Sequence, residues 1–183
     1  MNYLWLDMEM SGLDHRRCRI LEVAAVVTDG SFTQRESYHA VVFQPSEVLA
    51  AMDAWCTEQH GKSGLTAAVP QGVPEAEVEK QLLALIERHW PAEERPVLAG
   101  NSIGQDRKFI DAYMPALSAR LHYRMLDVSS FKVVFNDRYG VRYEKRGTHR
   151  ALDDIGESIA ELSLYLSHVH VPAPQASSGF FHP

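Results

Sequence analysis

Hydrophobic and polar positions alternate over residues 3–8, and the stretch RILEVAAVVT at 19–28 is β-branched and almost continuously apolar. The first pattern predicts a strand, the second a central strand covered on both faces. TDGS at 28–31 signals a turn, and SYHAVVFQ at 37–44 reads as a third strand ended by Pro45. Connections this short predict an antiparallel meander. The period then changes. SEVLAAMDAWCTEQH at 46–60 reads as a helix with Ser46 as its cap, followed by a loop at 61–74. EAEVEKQLLALIERHW at 75–90 places Val78, Leu82, Leu85 and His89 on one helical face, with acids early and bases late. PVLAG at 96–100 is a short buried strand, and GQDRKFIDAY at 104–113 is a helix that should break or kink near Pro115. HYRMLDVS at 122–129 reads as a fifth strand and 130–138 as a helix. In RALDDIGESIAELSLYLSHV at 150–169, Leu152, Ile155, Ile159, Leu162 and Leu166 recur at helical spacing. The order predicts one α/β domain over 1–170, a mixed five-stranded sheet flanked by helices. Residues 171–183 are rich in Pro and Ser and read as a flexible tail.

Composition adds limits. The chain has 183 residues, of which 45% are hydrophobic, enough for the core of one domain. No stretch approaches the ~18–20 apolar residues of a membrane span, and the N-terminus lacks the pattern of a secretory signal. Two cysteines, Cys18 and Cys56, fit reduced thiols and a cytoplasmic location. A net charge of −6 argues against long duplex or long single-stranded nucleic acid, which needs a continuous basic stripe. It leaves room for a short nucleic acid held by few contacts, and acids gathered round a metal would supply part of the charge.

The charged positions within the first strand raise a question of chemistry. Asp7 and Glu9 are two apart, so they share a face with Tyr3 and Trp5, while Leu4, Leu6, Met8 and Met10 take the other. Two neighbouring carboxylates repel, and burial adds a desolvation cost. Either the strand ends in water there, or a shared proton, a basic side chain or a divalent cation offsets the repulsion. Asp106 follows the strand at 96–100, where α/β sheets carry their sites. His149 falls in a loop, and Asp153 and Asp154 in the first turn of the last helix, where periodicity leaves the two acids tied. Clustered carboxylates suit hard cations such as Mg²⁺ or Mn²⁺, and without paired cysteines a structural zinc is disfavoured. Gly61-Lys62-Ser63 imitates the end of a P-loop, but Cys56 stands where the first glycine is needed and no strand leads in.

Five ordered blocks, WLDMEMSGLD, MDAWCTEQHGKSGL, GNSIGQDRKF, HYRMLDVSS and GTHRALDDI, make the chain resemble the oligoribonuclease branch of the DEDDh 3′→5′ exonucleases over roughly residues 3–168. The resemblance implies an RNase H-like exonuclease fold. It also implies two divalent cations, Mg²⁺ or Mn²⁺, held by Asp7, Glu9, Asp106 and Asp154, with His149 as general base. The family spacing selects Asp154 over Asp153. For the substrate, it implies a wedge at Leu13 and a stacking platform at Trp55. Ser102, Arg124, Ser129 and Ser130 resemble a cluster that caps the 5′ phosphate. His60 and Tyr123 resemble residues that reach across a homodimer interface into the partner's site. A capped site selects length by steric exclusion, which implies short RNA of two to a few nucleotides with dinucleotides favoured. SFKVVFNDRYG, after the Asp-Val-Ser stretch, carries more β-branched residues than the family's helical segment. A longer-substrate exonuclease, a catalytically silent nucleic-acid-binding scaffold and a metal-binding structural protein are the rival readings.

Overall fold

The computed structural model describes residues 2–144 and 150–171. β1 (Asn2–Met10), β2 (Ile20–Asp29) and β3 (Gln34–Val41) form the expected antiparallel meander. β4 (Val97–Gly100) lies parallel to β1 on its other side, and β5 (Met125–Asp127) lies parallel to β4. The five-stranded sheet has the order β3-β2-β1-β4-β5. The fifth strand is shorter than the alternation of 122–129 suggests. Residues 128 and 129 already belong to the next helix, which Asp127 starts by accepting the Ser129 N–H.

The predicted helix at 46–60 is two helices, α1 (Ser46–Ala50) and α2 (Ala54–Lys62). Asp53 breaks the run because its carboxylate accepts the Cys56 N–H at 2.8 Å and so starts a new helix. Ser46 is the first residue of α1 rather than a cap; Pro45 precedes it with no side-chain cap bond. The predicted loop at 61–74 contains α3 (Leu65–Ala68) and a 3₁₀ turn at Val69–Gln71. Gly61 and Lys62 close α2, and Lys62 pairs with Glu58, so the P-loop imitation is a helix end. α4 (Glu75–His89) and α5 (Gly104–Tyr113) fall where expected, and Pro115 opens α6 (Pro115–Arg120) rather than bending α5. α7 (Val128–Tyr139) is helical despite its β-branched residues, and α8 (Ala151–Ser167) closes the described chain.

The sheet separates two cores. Leu4, Leu6 and Met8 join Val23, Val27, Leu98 and the buried faces of α4 and α5 on one side. Trp5, Val26, Ala99, Phe135, Ile155, Leu162 and Tyr165 pack on the other. Asp7 and Glu9 alternate with the first set and therefore face the layer that contains α8. The buried line on α8 is Ala151, Ile155, Ser158, Leu162 and Tyr165; Leu152 and Leu166 are exposed. The helix is turned so that Tyr165 stacks on Phe135 at 5.0 Å and buried Glu161 accepts bonds from the Tyr165 hydroxyl and Asn101. His89, expected on the inner face of α4, instead meets Glu36 at 2.7 Å.

Among the described residues no helix is long and apolar enough to cross a membrane. Cys18 and Cys56 are both free thiols.

Candidate active site

Glu9 lies opposite Glu22 in the β1–β2 ladder, and α8 crosses the face that Asp7 and Glu9 share. Asp154, in the first turn of α8, completes the group. One carboxylate oxygen from each of Asp7, Glu9 and Asp154 lies within 4.8 Å of the others. Asp153 is exposed, while half-buried Asp154 joins the group, so helix rotation distinguishes two adjacent acids that periodicity leaves tied. The three donors are all hard oxygens of one sign, which fits a divalent cation.

Asp106 enters differently. The β1–β4 pairing runs from Tyr3–Val97 to Trp5–Ala99, so farther along β1 that edge is open. Gly100 ends β4 close against β1, where a Cβ would come within 2.7 Å of the Leu6 carbonyl oxygen. Asp106, in the first turn of α5, fills the gap, and its Oδ1 accepts the Met8 N–H at 3.0 Å. Its carboxyl is buried, and its charge acts on Glu9.

Crowding sets the protonation of this group. Burial, then the charges of Asp154, Glu22 and Asp106, raise the Glu9 pKa to about 7, with Arg150 opposing. Burial first, against the Met8 N–H and with the charge of Asp127, raises Asp106 to about 7 as well. Both groups bind their proton more tightly folded than unfolded. Their stabilising contribution is therefore complete below the ordinary values of 4.5 and 3.8 and is lost as the pH rises through about 7. A bound cation must displace those protons. Mn²⁺ is therefore expected to raise Tm several degrees more at about pH 8 than at about pH 5, relative to the chelated protein, as thermal melts would show. An equal shift at both pH values would contradict this assignment.

Beside Glu9 a cleft of about 390 Å³ is lined by Met8, Met10, Gly12, Leu13, Asp53, Trp55 and Cys56. Leu13 is 77% exposed and Trp55 59%, so two apolar side chains stand at the cleft unburied by their own chain. The Leu13 loop is held by Gln105, whose Nε2 donates to the Leu13 carbonyl at 2.5 Å. Gly12 has φ 153°, and a Cβ there would meet the Cys18 sulfur at 2.6 Å, so only glycine fits this turn.

His60 lies beside Glu9. It is 3% exposed, its Nε2 meets the Met10 carbonyl at 2.8 Å, and its Nδ1 lies 3.9 Å from Glu9. Within this chain the imidazole therefore packs against Met10 and Glu9. Tyr123 is the opposite case: 74% exposed, stacked on His122 at 4.5 Å, with Arg124 over its ring at 5.3 Å.

Asp127 draws two of the expected phosphate-cap residues together. Its Oδ1 accepts the N–H of Ser102 and both the N–H and the hydroxyl of Ser129. Ser102 adopts a positive φ of 54°, so the loop after β4 is bent toward this carboxylate. Arg124 is exposed, and Ser130 lines an apolar depression with Phe131, Val134 and Phe135. His149 and residues 172–183 of the expected tail lie outside the described residues.

Sequence reasoning passed over Asp127 and Glu22. Asp127 was visible only as part of the HYRMLDVSS block. Glu22 carried a plainer signal, a lone acid in an otherwise apolar buried strand.

The family model for RNase T, exonuclease, matches residues 4–162. An oligoribonuclease of Francisella tularensis is 44% identical over 169 residues, covering 90% of this chain and 93% of that protein. One from Pseudomonas paraeruginosa is 46% identical over 172 residues, covering 91% and 95%. Exonuclease I from Methylocaldum szegediense superimposes with a TM-score of 0.73 at 17% identity. That match covers 91% of this chain and spans 40% of the larger enzyme, a likeness of fold.

Proposed function

Because the chain belongs to the exonuclease family, on its oligoribonuclease branch, we propose that it is a hydrolytic 3′→5′ exoribonuclease acting on short RNA, dinucleotides above all, and releasing nucleoside 5′-monophosphates. The observation that carries this reading is the Asp7–Glu9–Asp154 oxygen group, whose Glu9 also lines the cleft that holds Leu13 and Trp55.

Asp7, Glu9, Asp154 and Asp106 are the residues that would hold two divalent cations, Mg²⁺ or Mn²⁺. Such cations supply Lewis-acid activation of a water and charge stabilisation at the leaving 3′ oxygen. His149 takes the proton of the attacking water, a task suited to an imidazole whose ordinary pKa lies near neutrality. The Trp55 ring and the Leu13 side chain stack on the bases and hold the scissile phosphate beside the acids. At the other end Arg124 offers the charged fork for a 5′ phosphate, with Ser102, Ser129 and Ser130 around it. The Ser129 hydroxyl donates to Asp127, so it serves a phosphate only by turning its one hydrogen from that carboxylate to the phosphate oxygen.

The acid balance and the absence of any need for a long basic track fit a short substrate rather than long duplex nucleic acid. The exposed apolar residues Tyr123, Met125, Val133, Val134 and Tyr139 support a homodimer face. Tyr123 there reaches a partner's substrate. Two free thiols accord with a cytoplasmic enzyme away from membranes.

The decisive assay compares a 5′-phosphorylated diribonucleotide with a seven-mer of the same composition in Mg²⁺ or Mn²⁺. The dinucleotide is expected to show a kcat/KM at least about tenfold higher, about 1.4 kcal/mol of transition-state stabilisation. Equal or faster cleavage of the seven-mer would reject the capped site and favour a longer-substrate exonuclease.

A further inference from the structure

Glu22 is wholly buried in β2, flanked along the strand by Leu21 and Val23, and has no direct place among the proposed metal ligands. Both of its oxygens are engaged. Oε1 lies 2.7 Å from Arg150 Nη2 and 2.7 Å from His39 Nε2, and the Ala151 N–H points to Oε2 at 3.5 Å. Arg150 also donates from Nη1 to the Ser63 carbonyl at 3.4 Å, at the C-cap of α2. Three parts of the site thus meet on one ion pair. β2 is paired with β1 at Glu9–Glu22, α8 begins at Ala151 and carries Asp154, and α2 carries Trp55 and His60. Arg150 directly follows His149 in the chain.

We infer that Glu22 and Arg150 act as a pair of positioning residues, fixing the start of α8 so that Asp154 meets Asp7 and Glu9. A helix end set by propensity alone could slide or rotate, and Asp153 and Asp154 project about 100° apart on a helix. Arg150 has no side-chain cap bond to its own helix; its guanidinium holds the helix end through β2 instead. The carboxylate supplies a fixed anchor because Glu22 itself is fully enclosed within the sheet, and Arg presents a planar fork suited to it. The inference rests on the exonuclease reading for its kinetic consequence, but not for its structural one.

The test uses the full chain with Arg150→Met, Glu22→Gln and the double variant. Each is read by kcat and KM on the 5′-phosphorylated diribonucleotide, by Mn²⁺ affinity in calorimetry without substrate, and by Tm. Arg150→Met is expected to lower kcat by about 10–100-fold and Mn²⁺ affinity by about tenfold, with KM within about twofold of the parent. The double variant should lose clearly less than the product of the two single losses, because the Glu22–Arg150 contact is shared, although each residue keeps a further partner in His39 or Ser63. A lowered Tm with kcat and Mn²⁺ affinity within about twofold of the parent would mean that the pair only stabilises the fold. Losses that multiply in the double variant would mean separate roles, and would also overturn the pairing. Arg150 is partly exposed, so Arg150→Met keeps the test valid if Glu22→Gln fails to fold. If the parent protein leaves the dinucleotide intact, the proposed function fails while the Mn²⁺ measurement still decides this inference.

Discussion

An Asp154→Asn variant is expected to lose about 10³-fold in kcat, the scale on which removal of one preorganised electrostatic stabiliser acts, while melting close to the parent. Asparagine keeps the size and one carbonyl oxygen of Asp154 but removes its charge from the group shared with Asp7 and Glu9. The charge of Asp154 is the second cause, after burial, of the raised Glu9 pKa. Its removal should therefore lower that pKa and relieve repulsion in the chelated protein, so stability without cation should hold or rise. Mn²⁺ affinity should fall at the same time. The neighbouring Asp153→Asn variant should leave kcat within about twofold, since an exposed helix-terminal charge contributes little. Kinetics on the diribonucleotide with Mn²⁺ titrations check both. Comparable losses in the two variants would remove the geometric distinction between these acids.

Replacing His149 with alanine should lower kcat by about 10²–10⁴-fold, the usual worth of a general base, with Mn²⁺ affinity unchanged. The contrast with Asp154→Asn separates proton transfer from cation binding: the first substitution strikes the rate alone, the second both. At saturating Mn²⁺ the parent rate should climb with pH through the imidazole range near 6.5 and then level, because only the neutral ring accepts a proton. The alanine variant should lack that limb. A pH profile of kcat for both proteins reads this directly, and a retained limb would assign the titration to another group.

Both variants act at residues already prominent in the chain, whereas the Glu22–Arg150 pair emerges only once α8 lies over β2. The difference follows from how far each kind of interaction reaches. Alternation over 3–8 placed Asp7 and Glu9 on one face because strand geometry repeats every two residues, whatever surrounds it. The order of strands and helices was legible for the same reason, since periodicity, Pro45, Pro115 and the turn at 28–31 are local signals. The match of quoted blocks to a family supplied the list of acids, and four of its members lie on or beside the open end of β1.

The sequence by itself determined the meander, the succession of strands and helices along the chain and the shared face of the first two carboxylates, because these depend on backbone periods of a few residues. Family spacing selects Asp154, but only the tertiary structure turns it rather than Asp153 inward, encloses His60 against Glu9 and sets Glu22 against Arg150. Each of those outcomes depends on how a helix is rotated when its bulky residues pack, as Tyr165 packs on Phe135. Successive residues on a helix differ by about 100°, so a rotation set by distant packing partners chooses which one faces the site.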